Sequence, residues 1–241
     1  MDDVEKVFLL NVGNSNVQYA IGYQGRVETI RQIPRANFAP ETIPTGMPVA
    51  IACVVPDFMS QLADIEQLFQ ITPAISCGID FSKCDISTIG PDRIANTIAL
   101  AETGSLPAVC IDFGTAITFE VLGPDKIFYG GAIMPGRLLQ RKSLNDFTAM
   151  IPLIDFFENI PELGTNTIEA VRVGIDDGVI GGVVRIIEKI KGIFPDQPLR
   201  MVATGGDSNF FLKYLTGLEA AGNDCTLYGV NKAWEYHINE S

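Results

Sequence analysis

Two distant stretches of this chain read alike, and the likeness limits the folds open to it. Leu9-Leu10-Asn11-Val12-Gly13-Asn14 and Cys110-Ile111-Asp112-Phe113-Gly114-Thr115 each carry an apolar run into a Gly turn. A second apolar run follows each turn, Val17 to Gly22 and Ile117 to Leu122. Arg26 to Ile33 and Ile127 to Gly131 supply the next strand at a similar offset. Strand, tight turn, strand, strand is predicted twice. A supersecondary unit repeated at so long a period points to a duplicated domain. Any two hairpins with a glycine turn share this pattern, so the pattern alone also admits two unrelated meanders.

The remaining segments alternate strand and helix. Val49 to Val55, closed by Pro56, suits a strand buried on both faces. Asp57 to Phe69 predicts a helix, with Phe58, Leu62, Ile65 and Phe69 on one side and Asp57 as N-cap. Pro91 sits where a helix starts, followed by Asp92. Gly136 to Met150 and Asn166 to Ile193 predict two more helices. The glycines of the latter (Gly174, Gly178, Gly181, Gly182) imply close packing or a break. Met201 to Ala203 is a short strand running into Thr204-Gly205-Gly206-Asp207. The class is α/β with mixed sheets, and the second half begins near Pro107. The expected domains are 1–106 and 107–241.

Composition narrows the function. The 241 residues are 47% hydrophobic and carry a formal net charge of −12, which argues against nucleic acid and anionic membrane as partners. The five cysteines form no C-x-x-C pair, and the single histidine, His237, reads as a solvated helix residue. A reduced cytoplasmic protein without a disulfide framework or a zinc site is expected. The acidic start of the chain is unlike a secretory leader, and no apolar run has the length of a membrane helix.

Several segments suit chemistry on phosphate. A hairpin tip rich in Gly and small polar residues points backbone N–H groups at an anion, and Asn14, Ser15, Asn16 and Thr115 add side-chain donors. A carboxylate just before such a turn, as at Asp112, can hold a cation beside the phosphate. Gly90-Pro91-Asp92-Arg93 reads either as an ordinary helix start or as an acceptor site, with Asp92 taking a hydroxyl hydrogen bond and Arg93 binding a carboxylate. Thr204-Gly205-Gly206-Asp207 and Gly130 to Gly136 read either as close-packed turns or as the rim of a nucleotide site.

Taken in order, Asn11 to Asn16, Val54-Val55-Pro56, Gly90 to Arg93, Asp112 to Ala116, Gly130 to Gly136, Asn166-Thr167 and Thr204 to Gly206 resemble the type III pantothenate kinases over nearly the whole chain. The resemblance implies duplicated actin-like (ribonuclease H-like) domains with mixed sheets and an interdomain nucleotide cleft, assembled as a homodimer. It implies ATP-dependent phosphorylation of pantothenate, the first step of coenzyme A biosynthesis, with Mg²⁺ and a monovalent cation, K⁺ or NH₄⁺. Carried over by position, Asp92 is the catalytic base, and Gly90, Pro91, Asp92, Arg93 and Thr167 bind pantothenate. Asn11, Val12, Gly13, Asn14, Ser15, Asn16, Val17 and Gln18 form the ATP phosphate turn, with Thr115, Gly205 and Gly206 as further ATP contacts. Asp112 matches the monovalent-cation ligand.

The chain departs from the family pattern twice. Asn11 stands where the first motif begins with Asp, and Lys83 and Cys84 stand where a tyrosine precedes the G-x-D-R segment. Two readings follow: a working pantothenate kinase, or a catalytically impaired relative acting as a nucleotide-binding accessory protein.

Overall fold

The computed structural model describes residues 6–75, 77–157, 159–222 and 224–240. The acidic start of the chain, on which the expectation of no secretory leader rests, lies outside them apart from Lys6.

Strand β1 (Val7–Val12) turns into β2 (Asn16–Tyr23) and then β3 (Arg26–Pro34). β4 (Val49–Cys53) and β5 (Leu68–Gln70) complete a sheet of order β3-β2-β1-β4-β5. β1 is antiparallel to β2 and parallel to β4, and β4 is parallel to β5. β4 is buried along its whole length, as its unbroken apolar run predicts. β3 is an edge strand with most residues exposed, and its charged Arg26, Glu28 and Arg31 discourage further pairing.

The second sheet holds β6 (Ala108–Phe113), β7 (Ala116–Leu122), β8 (Phe128–Pro135), β9 (Arg200–Thr204) and β10 (Leu218–Ala220). Its order, β10-β9-β6-β7-β8, is that of the first sheet once β6 is matched to β1 and the rest follow in sequence. Each sheet therefore has a central strand with its hairpin partners on one side and two later strands on the other. The duplication read from the two Gly turns extends to the strand order.

The helices are α1 (Pro91–Glu102), α2 (Arg137–Phe147), α3 (Thr167–Lys191), α4 (Ser208–Tyr214) and α5 (Cys225–Glu240). The chain divides into two compact units. One comprises Met1–Ala108, Glu120–Gly130 and Ala221–Ser241, the other Val109–Phe119 and Gly131–Ala220. In the first, α5 packs on α1 at Gly229, where a β-carbon would lie 1.8 Å from the Ala95 carbonyl oxygen. Only glycine allows that approach. His237, on the exposed end of α5, stacks on Phe69 with ring centroids 4.7 Å apart.

In the second unit a buried ion cluster ties the helices together. Asp176 of α3 accepts from Arg137 Nε at 2.8 Å and from Arg141 Nη2 at 2.7 Å, both on α2. Arg137 also reaches Asp207, just before α4, at 2.8 Å.

Two local expectations change. The helix expected over 57–69 is a 3-10 turn, Pro56–Leu62, followed by β5. Residue 57 is not its N-cap; Val55 occupies that place, without a side-chain cap. The apolar spacing that looked helical buries Phe58 and Leu62 from the turn and Phe69 from the strand. α3 runs unbroken through its glycines, and only Gly182 is closely approached, by the Met134 methyl. No disulfide joins the described cysteines, and no helix among the described residues is long and apolar enough to cross a membrane.

Candidate functional site

In the first unit, the β1–β2 hairpin closes through the Gly13 N–H, which donates to the Asn16 carbonyl at 3.0 Å. Val12 and Val17 are wholly buried, so this part of the turn offers a ligand only its backbone. Asn14 and Ser15 stand exposed at the tip. Arg35 braces them: its Nε donates to the Asn14 carbonyl at 3.0 Å and its backbone N–H to the Ser15 carbonyl at 2.9 Å. The guanidinium thus sits beside the turn, a cation that motif reading missed because it lies in a separate segment. At the hairpin base, Asn11 Nδ2 donates to Gln18 Oε1 at 2.8 Å, and Gln18 Nε2 donates to Asp224 Oδ2 at 2.7 Å.

The G-x-D-R segment lies close to this turn within the same unit. The Val54 N–H donates to the Val12 carbonyl at 3.1 Å, and a β-carbon on Gly90 would lie 3.6 Å from Val54 Cγ1. Gly90 is the N-cap of α1 and Pro91 its first residue, as predicted. The Asp92 carboxylate folds back toward Gly90, whose β-carbon would stand 2.6 Å from Asp92 Oδ1. That oxygen accepts from the Arg93 N–H at 2.8 Å. Burial holds the Asp92 carboxyl above its ordinary value, although the Arg93 N–H and the Arg93 charge pull the other way. Arg93 Nε donates to Glu120 Oε1 at 2.8 Å. Glu120 is fully buried on β7 and was not singled out in the sequence; the signal was one acid inside the apolar run 117–122. Its pairing fixes the Arg93 stem and helps neutralise the buried acid.

Lys83, which stands where the family has a tyrosine, sets its ammonium over the ring of Tyr129 on β8, 3.6 Å from Nζ to the ring centroid.

In the second unit, Asp112, Thr115, Gly136 and Gly205 come together at the end of β6. A β-carbon on Gly205 would lie 2.3 Å from Asp112 Oδ1 and 2.7 Å from both the N and O of Phe113. One on Gly136 would lie 2.3 Å from the Gly114 carbonyl oxygen and 2.7 Å from that of Thr115. These glycines let three backbone segments meet around one carboxylate. Gly205 also has φ +89°, a conformation that L side chains resist. Gly206 is exposed, with nothing within 4 Å of its β-carbon position. Asp207 follows it, its carboxyl pushed up by burial despite the nearby Arg137.

Thr167 opens α3, where the Asn166 side chain caps the helix by accepting from the Glu169 N–H at 3.1 Å. It lines a groove of about 1030 Å³ together with Pro135, Leu139, Phe147 and Ile151.

Among the described residues no three His, Cys, Asp or Glu side chains are grouped to hold a metal. A cation bound beside Asp112 would take one oxygen from that carboxylate and most of the rest from a substrate's phosphates and from water.

Comparison with known proteins gives the family. The family described as Type III pantothenate kinase matches residues 7–189. A type III pantothenate kinase of Methylacidiphilum infernorum is 33% identical over 96% of this chain and 89% of its own length. That of Akkermansia muciniphila is 37% identical over 66% of this chain and 64% of its own length. Among solved structures, a protein described as a Baf family transcriptional activator from Campylobacter jejuni superposes with a TM-score of 0.66. It is 18% identical, and the match covers 96% of this chain and 99% of that one. The apo pSK41 ParM protein gives 0.53 at 12% identity, over 99% of each chain. At those identities the structural likeness is one of fold, and the fold is actin-like.

Proposed function

The chain belongs to the type III pantothenate kinase family, and on that premise we propose that it transfers the γ-phosphoryl group of ATP to the hydroxyl of pantothenate, giving 4′-phosphopantothenate for coenzyme A synthesis. The observation that carries this reading is the Asp92 carboxylate at the start of α1, folded over Gly90 and made more basic by burial. A base whose pKa is drawn toward neutrality serves a hydroxyl acceptor better than a fully solvated aspartate does. Phosphoryl transfer asks mainly for positioning and charge neutralisation, and Asp92 needs only to orient the hydroxyl and take its proton as the bond to phosphorus forms.

The other roles follow by position. Gly90, Pro91, Arg93 and Thr167 bind pantothenate, with Arg93 steadied by Glu120. The turn Asn11 to Gln18 holds ATP phosphates through its backbone, aided by Thr115, Gly205 and Gly206. Mg²⁺ neutralises the phosphates when bound. Asp112 is proposed as the ligand of K⁺ or NH₄⁺. The duplicated halves are proposed as 1–106 and 107–241 along the sequence, on the support of the strand order they share, with 221–241 packing back on the first unit. A homodimer is proposed from the apolar side chains that stand exposed around α2 and α3, among them Phe147, Met150 and Leu163. A cytoplasmic location, and no nucleic acid or membrane partner, fit the net charge of −12. Asn11 favours a second reading, a nucleotide-binding accessory protein without turnover.

Phosphorylation of pantothenate by the purified protein, with MgATP and K⁺, separates the two. Turnover by the unaltered chain, lost by about 10²- to 10⁴-fold in Asp92→Asn, is the expected result. No turnover under any cation condition supports the accessory reading, and full activity of Asp92→Asn removes Asp92 as the base.

A further inference from the structure

The amides at the base of the phosphate turn form a chain with a direction. It links Asn11 on β1, Gln18 on β2 and Asp224 at the start of α5, all in the first unit. An ionised carboxylate only accepts, so Gln18 must turn its amide nitrogen to Asp224. The Gln18 oxygen then faces Asn11, and Asn11 must answer with its own nitrogen. What Asn11 has left is Oδ1, an acceptor that makes no hydrogen bond to any described residue. The direction is that of the ionised Asp224 carboxylate: burial raises this carboxyl, while the bonds from the Leu227 N–H and the Gln18 amide favour its charged form.

Asp224 is itself an uncommon group. Its Oδ1 caps α5 by accepting from the Leu227 N–H at 3.0 Å, and its Oδ2 takes the Gln18 bond. Among the described residues no Lys or Arg pairs with it. Helix capping uses one oxygen and explains an Asp or an Asn equally well. It does not account for the second oxygen, nor for a bond that reaches back to the phosphate turn.

We infer that Asp224 is a positioning residue for this turn: through Gln18, its charge orients the Asn11 amide so that the oxygen, the atom a carboxylate would offer, is presented to the nucleotide. This rests on the nucleotide-binding role proposed for the turn. Asn11 then stands in for the family's Asp as an acceptor of hydrogen bonds from a hydrated cation, without the negative charge.

The chain of bonds dictates a reciprocal pattern of substitutions. Asn11→Asp sets a carboxylate against the Gln18 oxygen, and turning Gln18 over sets that oxygen against Asp224. Asp224→Asn keeps Oδ1 for Leu227 but offers Nδ2 to Gln18, so the Gln18 amide turns over and its nitrogen faces position 11. The native Asn11 must then turn its oxygen inward and present nitrogen. An aspartate at 11 fits that reversed chain without strain.

The test compares the unaltered protein, Asn11→Asp, Asp224→Asn and the double variant. Calorimetry gives the Kd for MgATP, turnover gives kcat and KM, and thermal unfolding monitors the fold. Each single change is expected to weaken MgATP binding by about 10- to 100-fold, the worth of a hydrogen bond to a charged group. The double variant is expected to bind at least about tenfold more tightly than either single one. Asp224→Asn should keep its unfolding temperature, because asparagine retains the cap, which sets positioning apart from a structural role. Additive losses in the double variant, or an Asn11→Asp variant that matches the unaltered protein, overturn the inference. So does an unaltered protein that binds no MgATP. If the unaltered protein binds MgATP and shows the reciprocal pattern but never phosphorylates pantothenate, the kinase reading falls and this inference stands.

Discussion

Gly205 and Gly206 are neighbours in one T-G-G turn, yet alanine should destabilise the protein at the first and not at the second. At Gly205 an added β-carbon meets Asp112 Oδ1 at 2.3 Å and the Phe113 backbone at 2.7 Å, and φ is +89°. A non-glycine residue in a left-handed conformation costs about 1–2 kcal/mol. Forcing a methyl into a filled space costs a further 1–3 kcal/mol or so. The backbone of β6 cannot yield as a side-chain tip can, so the sum should fall at about 3 kcal/mol. For a chain of this length each kcal/mol lowers the unfolding temperature by about 2–4 °C, giving a drop of about 6–12 °C. Gly206→Ala meets nothing within 4 Å, and should stay within about 0.5 kcal/mol of the parent. The assay is thermal unfolding of the three proteins, followed by activity against K⁺ concentration. Displacing the Asp112 carboxylate should raise the K⁺ needed for half activation in Gly205→Ala alone. Equal unfolding temperatures for the two variants, or an unchanged K⁺ response in Gly205→Ala, would refute the reasoning.

Burial raises the Asp92 carboxyl, so two pH effects are expected. The base must be ionised, which sets the acid limb of kcat/KM above the pH range of an ordinary aspartate. For stability the sign is reversed from that of a salt-bridged acid: the favourable contribution is complete below the unfolded-state value of 3.8 and is lost as pH rises through the raised folded-state value. Asp92→Asn should therefore be at least as stable as the parent at neutral pH while losing turnover; a marked fall in its unfolding temperature would contradict this. Asp176→Asn leaves Arg137 and Arg141 buried without their shared carboxylate, and should cost about 3–5 kcal/mol in urea unfolding at unchanged m. A loss under about 1 kcal/mol would mean that water or Asp207 already balances the pair.

Much of the fold was legible because it is written in short-range patterns. Unbroken apolar runs gave β1, β4 and β6, Gly turns gave the hairpins, and Pro91 and Asn166 marked the starts of α1 and α3. The segment 57–69 misled because apolar spacing records which side chains are buried, not which backbone buries them. At the candidate site, motif reading found residues that lie close along the chain. It missed Arg35, Glu120 and Asp224, each of which meets its partner across a fold and lies outside any local motif. Glu120 differed from its neighbours only in charge, and nothing near Asp224 in the sequence points to Gln18 as its partner.

The return of residues 221–241 to the first unit bears on the order in which the chain can acquire structure. During synthesis β1 to β5 and α1 emerge early, but Leu227, Val230 and Ala233 of α5 are among the buried residues of that unit. Its core stays open until residues 221–241 leave the ribosome. The residues that make up the second unit have all been synthesised by then, so the part made first is the last to close. A nascent chain stalled before Cys225 should expose the α1 surface around Ala95 to chaperones, and the base of the β1–β2 hairpin would lack Asp224 until that segment emerges.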